Sequence, residues 1–219
     1  MALSKITDLS ITDDTIKNAD INSSAAIALT KLSGGIDLAA SGAGGVTGIL
    51  PVANGGTATT SYTAGITVAD QWRLTTAFTG TATPIASNLE RIDTSGQGTI
   101  GSAMTESSGI FTFPSTGIYL VEYRAYAQLN GDSRYNSVDI DVTINDTDYN
   151  MFAESSSLLQ STSSSVGYMS IITSTYIDVT DVSNVKCRFD FIPESSSVEC
   201  VGSTVYNATT MTFIRLGDT

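Results

Sequence analysis

Histidine is absent from the chain, and cysteine nearly so, with Cys187 and Cys200 the only two in 219 residues. The lack of histidine excludes serine triads, cysteine–histidine dyads and histidine-ligated metal chemistry. Two thiols are too few to scaffold a disulfide-rich secreted module. A turn at Pro193-Glu194-Ser195-Ser196 could close them into a hairpin, so a bond formed after release from the cell is one reading and two reduced, buried thiols the other. Positive charge is scarce too: ten Lys and Arg stand against 22 Asp and Glu, a net charge of −12. Neutralising phosphates takes clustered cations, so nucleic acid is not an expected partner. No apolar run approaches the roughly 20 residues that span a bilayer, and no membrane insertion is expected. Met1 to Asp8 lack the uninterrupted apolar stretch of a signal peptide, which gives the expectation of a protein made in a cytoplasm and remaining soluble.

Aromatic residues are missing from one region only. Before residue 65 the single aromatic is Tyr62, whereas Trp72, all seven Phe and the other eight Tyr follow. Aromatics supply much of the area that a core buries, so residues 1–64 are expected to be extended or shared between chains, and residues 65–219 to form one head domain. Within the first segment Ile6, Ile11, Ile16 and Ile21 recur every five residues, each followed by two polar residues. A fixed period of this kind suggests a stacked or fibrous element in which several copies pool their apolar edges. An amphipathic helix around Ala25 to Leu29 is the alternative. Three glycine pairs, Gly34-Gly35, Gly44-Gly45 and Gly55-Gly56, then mark a connector.

What is abundant is Ser, Thr and Gly among short apolar runs, with charged residues only 15% of the chain. From residue 66 onward the period is two, which reads as an all-β sandwich. Tyr119, Val121, Tyr123, Ala125 and Ala127 share one face of a strand opposite Glu122, Arg124 and Gln128. Val138, Ile140, Val142 and Ile144 share another, as do Met169, Ile171, Thr173, Thr175, Ile177 and Val179, and Val185, Cys187, Phe189 and Phe191. The last strand, Thr210 to Leu216, is apolar on both faces except at Arg215, as expected of a central strand or a subunit contact. Alternation alone leaves jelly-roll and immunoglobulin-like sandwiches both open.

Two stretches carry a resemblance. The run Gly109-Ile110-Phe111-Thr112-Phe113-Pro114-Ser115-Thr116-Gly117-Ile118-Tyr119, with the strand continuing to Tyr126, resembles the central strand of a C1q/TNF-like jelly roll. Phe213 stands where that family has its closing aromatic strand. Two features depart from the family: Met211-Thr212-Phe213 replaces the closing Phe-Ser-Gly, and no collagen-like repeat precedes the head. The second stretch, Val46-Thr47-Gly48-Ile49-Leu50-Pro51-Val52-Ala53-Asn54-Gly55-Gly56-Thr57, resembles a connector that recurs in bacteriophage tail-fibre and related virion proteins. Together these resemblances imply a homotrimer on a virion, made in the host bacterial cytoplasm. Its N-terminal segment, with Ile6, Ile11, Ile16 and Ile21, would dock on other virion proteins, and its head would touch a host surface glycan or protein. A capsid decoration or cement protein is the alternative, which the small size favours.

The same strand order implies that the polar connections 129–136, 154–165 and 193–208 emerge at one end of the head. Arg134, Tyr135, Asn136, Tyr206 and Asn207 are the expected contact residues there, since rigid rings and small hydrogen-bonding groups suit sugars and protein epitopes. Chemistry is not expected. Asp139 and Asp141 share a strand face and Asn145, Asp146 and Asp148 follow, but their spacing matches no calcium loop, and a solvated face is the preferred reading. Glu194 with Glu199 as a glycosidase pair is equally formal. The expectation is a protein that is not an enzyme and has no cofactor or metal.

Overall fold

A computed structural model describes residues 65–161 and 165–219. The isoleucine stripe, the docking role given to it, the connector at 46–57 and the alternative helix all lie outside the described residues.

Twelve strands account for the head, and no helix occurs among the described residues. In chain order they are β1 (Ala69–Leu74), β2 (Phe78–Thr79), β3 (Leu89–Arg91), β4 (Thr105–Ser107), β5 (Ile110–Thr112), β6 (Gly117–Leu129), β7 (Ser133–Thr143), β8 (Asn150–Leu159), β9 (Gly167–Val179), β10 (Lys186–Pro193), β11 (Glu199–Cys200) and β12 (Thr210–Gly217). Sheet A places β9 beside β6, then β12 and β11 end to end along the other edge of β6, then β1 and β2, then β3. Sheet B runs β4-β5-β10-β7-β8. All pairs are antiparallel, and the chain crosses between the sheets from β6 to β7, from β8 to β9, from β9 to β10 and from β10 to β11, as in a double-sheet jelly roll.

The period-two sequence pattern sets which residues meet between the sheets. Tyr119, Val121, Tyr123, Ala125 and Ala127 of β6 are fully buried, facing Val138, Ile140 and Val142 of β7 and Cys187, Phe189 and Phe191 of β10. Ile144 differs from expectation, because β7 ends at Thr143 and the side chain is exposed beyond it. Phe111 is the hub of the core. Its ring lies 5.5 Å from Trp72, 5.3 Å from Phe189 and 5.1 Å from Phe213, so one side chain of sheet B touches β1 and β12 of sheet A as well as β10 of its own sheet. Such edge and offset contacts add about 0.5–1.5 kcal/mol per pair beyond simple burial.

Gly117, where the conspicuous aromatic run begins, has a left-handed φ of 140°. A Cβ there would come within 2.5 Å of both the Arg215 Nε and the Gly217 carbonyl, so the bulge where β12 passes β6 admits only glycine. The thirteen residues of β6 then pair with all thirteen of β9 without a break.

Two polar clamps fix the long connection after β3. Asp70, almost inaccessible beside the core, accepts from the Trp72 indole N–H at 3.1 Å and the Met104 amide at 2.9 Å, and pairs with Arg91 at 3.1 Å. The Arg91 guanidinium also lies over the Trp72 ring. Arg73, equally buried, donates to Glu90, Thr94 and Asp93. Each buried charge is met by several partners, the condition under which burial of charge is tolerated.

Cys187 and Cys200 are free and buried. Of the two readings, the reduced and buried pair is the one found, and no hairpin joins them: β10 lies in sheet B and β11 in sheet A, so the chain crosses between layers at residues 194–198. Burial pushes both thiols up, that of Cys200 to about 12 despite its contact with the Thr209 hydroxyl. Thiolate chemistry is thereby suppressed.

Candidate functional site

Sheet A turns one residue in two away from the core, and the strand register arranges those residues in rows. Nearest the end where β6 begins lie Asp178 and Ile118, and the row after them is Tyr176, Leu120, Ile214 and Ala69, from β9, β6, β12 and β1. Next come Ser174, Glu122, Thr212 and Gln71, the last two joined by a 2.7 Å hydrogen bond. The row after that holds Ile172 and Arg124. Above it Tyr126 stacks on Tyr168, ring planes 8° apart and centroids separated by 5.9 Å. Tyr176 is 67% exposed, Tyr168 59% and Ile172 53%. Exposed apolar and aromatic side chains thus stand on both sides of a polar strip along one sheet face. Met151, Phe152 and Leu158 are also exposed, on β8, which runs beside β9 at the edge of the other sheet.

The outer face of sheet B is of another character. Cross-strand register sets Asp190, Asp139 and Glu154 in one row over β10, β7 and β8. Directly opposed like charges repel, and two of these carboxylates are nearly inaccessible, each with one Oδ1 that has no hydrogen-bond partner. Burial pushes Asp139 up to about 6, with Glu154 and Asp141 adding to it. Burial does the same for Asp190, helped by Asp141 and Asp139 and opposed by Arg188. Arg188 spans Asp141 at 2.8 Å and the ring of Tyr149. Among the described residues no group of three acidic or thiol side chains is disposed to hold a metal ion. Asn145, weighed with Asp146 and Asp148 as a hard-oxygen cluster, instead turns its Oδ1 to the amides of Thr147 and Asp148, closing the turn after β7.

At the end where β6 finishes, Arg134 and Tyr135 are exposed, and Arg134 pairs with Glu194 through its guanidinium and its amide. Charge pairing raises the already high affinity of that guanidinium for its proton and lowers the carboxyl of Glu194. A cleft of about 280 Å³ opens beside Arg134, floored by Leu158 and Leu159.

No family model and no curated protein matches the chain. Among solved structures, Eiger TNF from S. frugiperda is similar to it at 13% identity, over 70% of this chain and 95% of its own, with a TM-score of 0.51. The fold is a TNF-like jelly roll. Murine APRIL, solved at pH 5.0, covers 68% of this chain and 98% of its own at 10% identity and a TM-score of 0.47.

Within this TNF-like head the five expected contact residues separate. Arg134 and Tyr135 occupy the far end as expected. Asn136 does not: it is fully buried, taking a hydrogen bond from the Ser133 hydroxyl and donating to the Ser157 carbonyl, so it fixes the start of β7. Tyr206 and Asn207 are also displaced. β11 and β12 follow the same edge of β6, and residues 202–208 are an excursion from the middle of that lane. They return over the outer face of sheet A, where they line a cleft of about 410 Å³ with Arg124, Tyr126, Ser170 and Ala208. Gly202 permits the departure, since a Cβ there would sit 2.6 Å from the backbone of Thr76. The connection at 154–165 is likewise shorter than expected, because β8 continues to Leu159 through three serines.

Proposed function

We propose that the chain is a homotrimeric, non-catalytic head of a bacteriophage virion appendage, a tail fibre or receptor-binding protein. The observation that carries this reading is the apolar outer face of sheet A, with the Leu120, Tyr176 and Ile214 row and the stacked Tyr126 and Tyr168. In an isolated head these side chains would stand in water. Pooled around a three-fold axis they would form a second core, consistent with the trimeric C1q/TNF resemblance. The virion assignment draws on the resemblance of the Val46 to Thr57 connector to tail-fibre segments. Arg134, Tyr135 and the cleft over Leu158 supply the host-facing end, where three weak contacts would act together by avidity. Nothing in this role requires bond making or breaking.

Light scattering on the full chain tests the oligomer. A mass near three times 22.9 kDa is expected, and a monomer would overturn the reading. Antibody labelling of particles tests the location: label at the tail is expected, whereas label spread over the capsid would replace the fibre by a decoration protein.

A further inference from the structure

The chain is acidic, and its few cations are nearly all spoken for. Among the described residues Arg73, Arg91, Arg134, Lys186, Arg188 and Arg215 each form an ion pair. Arg124 is the exception: no described carboxylate lies within salt-bridge distance of it. Its position is on the outer face of sheet A, on β6, which with β9 is one of the two longest strands. One end of the guanidinium is held, since Nη2 donates to the Asn207 backbone carbonyl of the excursion. Its Nε is buried and has no acceptor among the described residues, and the Asn207 Oδ1 beside it has no donor. Nη1 makes no hydrogen bond with a described residue, and an arginine held at Nη2 in this way still has a donor to offer a carboxylate from outside the chain.

The same face carries the complement. Glu122 lies two residues before Arg124 on the same side of β6 and makes no hydrogen bond or ion pair with any described residue. In its row it is flanked by Ser174 and Thr212, neither of them charged. Asp178, the other carboxylate of this face without a described partner, lies two rows further off beside Ile118, so Glu122 is the one next to Arg124, and an unmatched carboxylate beside an unmatched guanidinium is complementary to a second copy of the same surface. In a closed ring of identical chains every Arg124 can meet a neighbour's Glu122 with none left over. We infer that Arg124 receives Glu122 of the adjacent copy, an ion pair between subunits that sets the register of the trimer and its choice of partner. The apolar rows on either side exclude water from the pair, while the excursion at 202–208 aims the guanidinium. This inference rests on the trimer proposed above.

The test uses the full chain at micromolar concentration, followed by mass measurement on dilution. Glu122→Arg and Arg124→Glu are each expected to raise the concentration at which the trimer dissociates by roughly thirtyfold or more, the scale for losing a desolvated charge partner. Glu122→Gln, which keeps shape and folding, is expected to do so by roughly tenfold. The double variant E122R/R124E restores the ring and does not exchange subunits with the wild type, because every mixed contact opposes like charges. If the wild type is trimeric and the single variants dissociate no more readily than it does, the pairing is wrong and the trimer stands. Single variants that dissociate without rescue in the double would also overturn it, assigning Arg124 to its own chain through Asn207. Free exchange of the double variant with the wild type would have the same force. A monomeric wild type fails at the first measurement, and then the trimer falls along with the pairing.

Discussion

The two sheets expose outer faces made by the same rule, one residue in two turned from the core, and yet the faces have little in common. On sheet A leucine, isoleucine and tyrosine stand around a polar strip in which Glu122 and Arg124 have no described ionic partner. On sheet B the central row is three carboxylates, and the arginine nearby is already engaged by Asp141 and Tyr149. The inward residues had no such latitude, because both sheets must fill one shared core. Strand alternation thus separates two kinds of information: the inner set specifies the fold, and each outer set is free to differ in character.

The contrast can be broken or sharpened by experiment. Phe111→Ala should act on both faces alike, since the ring touches Trp72, Phe189 and Phe213; urea unfolding is expected to show a loss of about 3–5 kcal/mol. A smaller loss would mean that the sheets are less dependent on a common core than their packing indicates. Leu120→Asp on sheet A is next. It is expected to reduce the solution mass to that of one chain while leaving the far-UV circular dichroism unchanged, whereas Ser107→Asp on the exposed far side of sheet B changes neither. Equal responses to these two substitutions would remove the distinction between the faces.

The carboxylate row makes a weaker but signed prediction. Asp139 and Asp190 titrate near 6 when folded and near their ordinary value when unfolded. The native state therefore holds more protons between about pH 4 and pH 6, and the stability contributed by these groups is complete below that window and lost as pH rises through about 6. Melting temperature should fall by a few degrees between pH 5 and pH 7.5, and Asp139→Asn should flatten that slope. A melting temperature that rises over the same interval, in the wild type and not in the variant, would contradict the assignment. Smallest of all is Arg134→Ala: its pair with Glu194 is exposed, so the melting temperature should not move, while binding to host cells should weaken. Undiminished binding would take Arg134 out of the contact surface.

Much of this head was legible because its inward residues are large and its alternation is clean. The faces of β6, β7, β9 and β10 follow directly from Tyr119 to Ala127, Val138 to Val142, Met169 to Val179 and Cys187 to Phe191. Three features were not legible, each for a physical reason. The serines of β8 show no apolar period, since the strand is held by backbone pairing to β7 and covers little core. Asn136 reads as a loop residue because its burial depends on two partners, one of them a backbone carbonyl 21 positions away, that no local pattern announces. The excursion at 202–208 depends on two short segments choosing the same edge of β6, a long-range decision in which Gly202 was the one local signal. The unmatched state of Arg124 became visible only once every other described cation had been given its partner.

The pairing of β1 with β12 has a mechanical consequence. Ala69 lies opposite Ile214, and β1 is gripped on one side by β12 over five residue pairs and on the other by β3 over three. A pull delivered through residue 65 would act along the axis of β1, so its ladder bonds would bear the load in parallel and would have to yield together. Had the chain entered the head at right angles to a strand, the same bonds would open one after another at far lower force. A strand gripped along both edges resists a pull along its own axis more than a peeling one.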